Sequence, residues 1–258
     1  MNIWRCVLFF AAAAAATAMR SVVLNETNFV SLIGPVTSNS VDAVILDWSH
    51  PSRARQMNRT KHAILYIDSP GGSVHAGSRL VQYIRTIQNQ NVTVDCIAQN
   101  FMSMAFIIMQ ACDGRFVLEN SVGMQHQMSM SMRGDIENLR SMFRLHDRMN
   151  ERMIRMEIDK IGIDREDYME RIINDWWLYG EDNVDQNTAD EVILYSCAPS
   201  LYGAVVEREE RILGMTFTIR MHRCPLFREV VVSEKAAIPY YESDFYAERA
   251  REWTKLIL

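Results

Sequence analysis

The amino-acid sequence predicts an α/β fold of stacked βαβ units around a mainly parallel sheet, continued by a C-terminal extension. Three observations predict it. Short, continuous apolar runs such as Ala63–Ile67 and Val92–Ile97 have the character of strands buried on both faces, and they stop abruptly at turn residues. Between them lie stretches of helical period, above all His75–Asn89, with Val81, Ile84 and Ile87 on one face. Strand and helix signals then alternate along the chain, as parallel strands joined by outer helices require.

Taken in order, Phe29–Ile33 reads as a strand, Gly34-Pro35 as a break, and Ser38–Trp48 as a helix opened by the capping-type residues Ser38, Asn39 and Ser40. Residues Ser49–Lys61 read as a polar, basic connection. The Ala63–Ile67 strand ends at Asp68-Ser-Pro-Gly-Gly72 and is followed by the His75–Asn89 helix and the Val92–Ile97 strand. An apolar helix is expected over Ser103–Ala111, then short strands at Phe116–Leu118 and Val122–Met124. A long Arg- and Met-rich helix covers Asp135–Ile161, its Met142, Met149, Met153 and Met156 suited to a core or a subunit interface, and a further helix covers Arg165–Trp176. Residues 19–197 thus form one domain. Residues 198–258 form the extension, with strands expected at Arg211–Arg220 and Arg228–Val232 and a final helix over Tyr240–Leu258.

The first 18 residues read as a secretory signal: one charge in Met1–Arg5, an apolar run Cys6–Ala16, and small residues in Ala16-Thr17-Ala18. A retained anchor or a mitochondrial-type presequence is the alternative. A formal net charge of -5, with Arg interleaved with Asp and Glu, gives no electrostatic footprint for nucleic acid. The five cysteines include no CxxC pair, so no metal spacing is present and no cofactor or metal is expected. Cys96 and Cys112 read as small buried residues, whereas Cys197 and Cys224 could pair in an oxidising compartment.

Three local features carry chemistry. The glycines of Asp68-Ser-Pro-Gly-Gly72 allow a backbone to approach a bound chain and leave N–H groups free to point at it, although a plain tight turn would look the same. Ser103 stands at a helix start, where unpaired N–H groups stabilise an oxyanion, and where serine is also a common N-cap. His126 follows a short strand, as a general base or as a structural histidine.

Their order decides. A strand into Ser69-Pro-Gly-Gly72, a strand into Ser103-Met104 at a helix start, then Asn120-Ser121 leading to His126-Gln127 resembles the ClpP peptidase family from about Phe29 to Leu194. That resemblance implies a ClpP/crotonase-like fold and a serine endopeptidase with Ser103 as nucleophile, His126 as base and Asp175 as the group orienting the base. Asp175 lies in Asp175-Trp-Trp-Leu-Tyr-Gly-Glu-Asp182, 49 residues after His126. It further implies an oxyanion hole from the N–H groups of Gly72 and Met104, and substrate contacts at Gly71 and Gln127. The expected partners are peptides or unfolded chains and further copies in a ring, with an ATP-dependent unfoldase only if the protein is not exported. An exported enzyme would act alone.

The sequence departs from the family pattern at Phe101-Met102 before the serine, expected to narrow the substrate groove, and at Ala105 and Met128. Three rivals stand beside this reading. A Ser–Lys dyad would need a lysine about forty residues past Ser103, and Lys61, Lys160, Lys235 and Lys255 do not supply one. A crotonase-type acyl-CoA enzyme would leave Ser103, His126 and Asp175 a coincidence, and an inactive ring subunit or binding module would keep the fold alone.

Overall fold

The computed structural model describes residues 19–212, 215–227 and 231–235; the apolar amino-terminal run and the expected final helix lie outside them. The chain runs through β1 (Ser21–Leu24), β2 (Phe29–Ile33), α1 (Ser38–Ser49), α2 (Pro51–Thr60), β3 (His62–Ser69), α3 (Val74–Gln88), β4 (Thr93–Met102), α4 (Met104–Gln110) and β5 (Gly114–Gln125). It continues through α5 (Ile136–Ile161), α6 (Arg165–Ile172), β6 (Trp176–Tyr179), α7 (Asp182–Asp185), β7 (Glu191–Val192), β8 (Leu194–Cys197), β9 (Val205–Ile212), β10 (Met215–His222) and β11 (Val231–Lys235).

The main sheet has the order β2-β3-β4-β5-β6, with β7 also paired to β5. Strands β2 to β5 are parallel and β6 is antiparallel to β5, as the alternating pattern requires. In β3 every residue from Ala63 to Ser69 is buried, because both faces of the strand are covered. Ala63, Leu65 and Ile67 join the larger core with α1, α3 and α4, while Ile64 and Tyr66 face a second cluster with Leu24, Phe29, Ile97 and Ile193. Burial on both faces is what turned the strand's period-2 pattern into a continuous apolar run.

Parallel pairing has the consequence that matters for function. The carboxyl ends of β3, β4 and β5 lie side by side, so the segments following Ser69, Met102 and Gln125 meet at one edge, where ligands of open α/β sheets bind.

Four expectations are corrected. Ser49–Lys61 is mostly helix α2, started by Pro51; its polar composition concealed the element, and Arg53 turns inward to donate from Nε to the Phe29 carbonyl at 3.0 Å. Phe116–Leu118 and Val122–Met124 belong to one strand, β5, where Ser121 Oγ accepts from Leu118 N–H at 2.7 Å and donates to the Ala98 carbonyl at 2.5 Å. The helix expected through Trp176 ends at Ile172; Asp175 has φ 54° and Trp176 opens β6. Cys96 and Cys112 are buried as expected but are bonded to each other.

Cys197 and Cys224 are also bonded, tying the body to the segment that leads out of β10. Residues expected as one strand, Arg211–Arg220, fall in the antiparallel partners β9 and β10, with β11 on the other side of β10. The methionine stripe divides: Met153 is in the core and Met142 is exposed. Among the described residues no helix is long and apolar enough to cross a membrane.

Candidate active site

The register of β4 on β5 pairs Met102 with Met124, so the two strands deliver Ser103 and His126 to the same edge. Ser103 N–H donates to the Met124 carbonyl at 2.7 Å, which fastens the serine to the strand that carries the histidine. The side chains then meet: His126 Nε2 lies 2.8 Å from Ser103 Oγ, the contact a base needs to take the hydroxyl proton.

Ser103 occupies the N-cap position of α4 without acting as a cap, for its hydroxyl makes no capping hydrogen bond to that helix. Its backbone sits at φ 53°, ψ -120°, an unusual conformation for a residue with a Cβ, and the resulting sharp strand-to-helix turn presents Oγ to the histidine. Such strain costs on the order of 1–3 kcal/mol. Ser103→Gly is therefore expected to melt at a higher temperature than Ser103→Ala in thermal unfolding, because only glycine relieves it.

The glycine loop packs against this turn. A Cβ on Gly71 would come within 2.5 Å of the Met102 carbonyl and 2.8 Å of Ser103 Cβ, and its φ of +87° already favours glycine. The adjoining Gly72 has φ +143°. The loop is fixed to the segment before α1 by Val36 N–H on the Gly71 carbonyl and Ser73 N–H on the Val36 carbonyl, both 2.8 Å. That pairing does not use the Gly72 N–H. The Met104 N–H is in the first turn of α4, where no intrahelical acceptor exists. Gly72 and Met104 line the same cavity as Ser103.

A cavity of about 200 Å³ opens beside the pair, lined by apolar Met104, Ile107, Met128, Met153, Ile154 and Ile172 together with Gly72, Gln125, Glu157 and Tyr168. Sequence reasoning missed the last three. Gln125 is 3% exposed at the end of β5, and Glu157 is 1% exposed on α5. Nothing in the local sequence sets them apart from other polar residues, and only the packing of α5 and α6 over the site buries them. Burial pushes the Glu157 carboxyl up to about 8, against hydrogen bonds from Tyr168 and Gln125 that pull it down.

Other expected residues fall differently. Asp175 is exposed and, among the described residues, makes no hydrogen bond or ion pair with His126. The antiparallel pairing of β5 with β6 ends at Gln125 and Trp176, the residues that directly precede His126 and follow Asp175. Gln127 is exposed and outside the cavity lining, where the buried neighbour Gln125 stands instead. Phe101 does not narrow a groove; it is fully buried and stacks on Phe106 at 5.7 Å between ring centres. Lys160 donates to the Asp113 carbonyl at 3.0 Å and is not part of the cavity.

A serine and a histidine thus meet at the carboxyl edge of a parallel sheet, with a glycine loop and a helix N-terminus beside them. The family model of the Clp protease matches residues 13–196. The chain belongs to the Clp protease family, a family of peptidases.

Proposed function

We propose that the protein is a serine endopeptidase in which Ser103 attacks the scissile carbonyl, His126 takes its proton and returns it to the leaving amine, and Asp175 orients the imidazole. The 2.8 Å contact between Ser103 Oγ and His126 Nε2 carries this reading. In the first step the Oγ–C bond forms as the proton moves to Nε2, and the negative charge collects on the former carbonyl oxygen. The N–H groups of Gly72 and Met104 receive that charge; losing one such donor typically costs about a hundred- to a thousandfold in rate. The C–N bond then breaks as the amine takes the proton from Nε2; water, giving its proton to Nε2, next attacks the acyl carbon, and the Oγ–C bond breaks as Oγ takes that proton back, releasing the acid product. Asp175, the residue before Trp176, would perform its part by turning its side chain toward the imidazole that follows Gln125, the strand partner of Trp176.

The apolar side of the cavity, formed by Met104, Ile107, Met128, Met153, Ile154 and Ile172, favours an apolar substrate side chain next to the cleaved bond. Assembly with further copies is supported by α5, which exposes Ile136, Phe143 and Leu145 along one long helix. The disulfides Cys96–Cys112 and Cys197–Cys224 and the apolar run Cys6–Ala16 support an exported enzyme working without an ATP-driven partner.

A fluorophosphonate probe tests the reaction directly. Wild-type protein is expected to become covalently labelled and Ser103→Ala to remain unlabelled. A folded wild-type protein that resists the probe would leave the inactive ring subunit as the surviving reading.

A further inference from the structure

Glu157 is a carboxyl buried beside the reacting pair without touching it. Both of its oxygens are engaged: Tyr168 Oη donates to Oε2 at 2.9 Å, and Gln125 Nε2 donates to Oε1. Gln125 uses the other end of its amide on the chain, its Oε1 accepting from the His126 backbone N–H at 3.1 Å. An unbroken line of hydrogen bonds therefore runs from α6 through α5 and β5 to the residue whose imidazole meets Ser103.

An amide has two ends of opposite polarity, and a carboxylate accepts but cannot donate. With the carboxylate of Glu157 on one side, Gln125 must turn its NH₂ toward it and its oxygen toward His126. Without that carboxylate the amide can reverse, and its NH₂ would then confront the His126 N–H, donor against donor. We propose that Glu157 is a positioning residue for His126, locking the Gln125 amide so that its oxygen holds the histidine backbone and keeps Nε2 within reach of Ser103. The role rests on the peptidase reading.

The device carries a pH signature. Among the described residues the groups bonded to Glu157 are Tyr168 from α6 and Gln125 from β5, neither charged in the neutral range, while His126 is the other titratable group with a charge to gain in the same cavity; burial pushes the carboxyl up to about 8. A protonated carboxyl can donate, so it tolerates either orientation of the amide. Ionisation above about 8 allows only one. Reactivity of Ser103 accordingly rises as pH passes through about 8.

The experiment measures fluorophosphonate labelling rates across that pH range in wild type, Glu157→Gln, Glu157→Met and Gln125→Met. Glu157→Gln, like the protonated carboxyl, can present either an acceptor or a donor to Gln125 at every pH, so it should stay at the slower labelling rate that wild type shows below pH 8 and lose the rise. Glu157→Met should remain folded, since it removes a buried ionisable group, yet label about a hundredfold more slowly, the cost of a misplaced reacting group. Gln125→Met should lose as much, which keeps the idea testable if Glu157→Met fails to fold. Labelling of folded Glu157→Met or Gln125→Met at the wild-type rate overturns the proposal, as does a rise near pH 8 that persists in Glu157→Gln. Should wild type itself resist the probe, the peptidase reading falls, and the His126 backbone N–H resonance decides the positioning role. That resonance shifts with pH near 8 in wild type and stays still in Glu157→Gln if the linkage is real; equal behaviour in both proteins refutes it.

Discussion

Turnover of a peptide ester is expected to collapse by about a millionfold in kcat when Ser103 is replaced by alanine, and by about as much in His126→Ala. The reason is that the two side chains act as one unit. Oγ is a weak nucleophile while it keeps its proton, and Nε2, 2.8 Å away, has no function without a hydroxyl to deprotonate. The double variant should therefore be no slower than either single one, leaving the residual rate of the Gly72 and Met104 donors. Steady-state kinetics of the three proteins checks this, and losses that add would show that the residues act separately. Asp175→Asn measured in the same assay reads the third member. A drop of about ten-thousandfold identifies it as the orienting acid, while a drop of less than tenfold would leave a two-residue site.

The largest effect on stability is expected at Arg115, which lies far from any step of the chemistry. Its guanidinium, within a residue only 2% exposed, is surrounded by acceptors. Nη2 reaches Asp190 Oδ1 at 2.5 Å, and Nη1 reaches Gln110 Oε1 at 2.7 Å and the Asn187 carbonyl at 2.8 Å. The cluster joins the end of α4, the start of β5 and the segment leading into β7. Arg115→Met would leave those acceptors buried without donors, a change that typically costs about 3–5 kcal/mol when a charged partner is also abandoned. Asp190 is partly exposed, so water softens its loss, and about 3 kcal/mol is expected. Urea unfolding with an unchanged slope measures it; a change under about 0.5 kcal/mol, the range of ordinary surface substitutions, would refute the assignment.

The pair also has a direction in pH. Burial raises the Asp190 carboxyl, but the hydrogen bonds and charge of Arg115 outweigh it and hold the group below its ordinary value of 3.8. Its contribution is present above that value and disappears as the pH falls through the lowered one.

How far the sequence reached differs from residue to residue. The strands β3 and β4 were legible because burial on both faces leaves a run of apolar residues that no helix of that length would show. The helix α2 was not, because its residues are polar apart from Pro51, Ala54 and Met57 and leave no continuous apolar stripe to detect. Ser103, His126 and the two glycines were marked by their order along the chain, although residue types alone left each with an ordinary alternative. The stacking of Phe101 into the core could not be seen, since a large apolar residue beside a nucleophile looks the same whether it faces the groove or the interior.

By itself the sequence determined the α/β alternation, the family and the order that marks Ser103 and His126, for these depend on local pattern and chain order. The tertiary structure alone decided what those residues touch. It joined Ser103 to His126 through the β4–β5 register, left Asp175 exposed just before β6, and buried Glu157 behind Gln125. Contacts of that kind arise between elements distant in the chain, where burial and hydrogen-bond geometry, rather than residue type, assign the role.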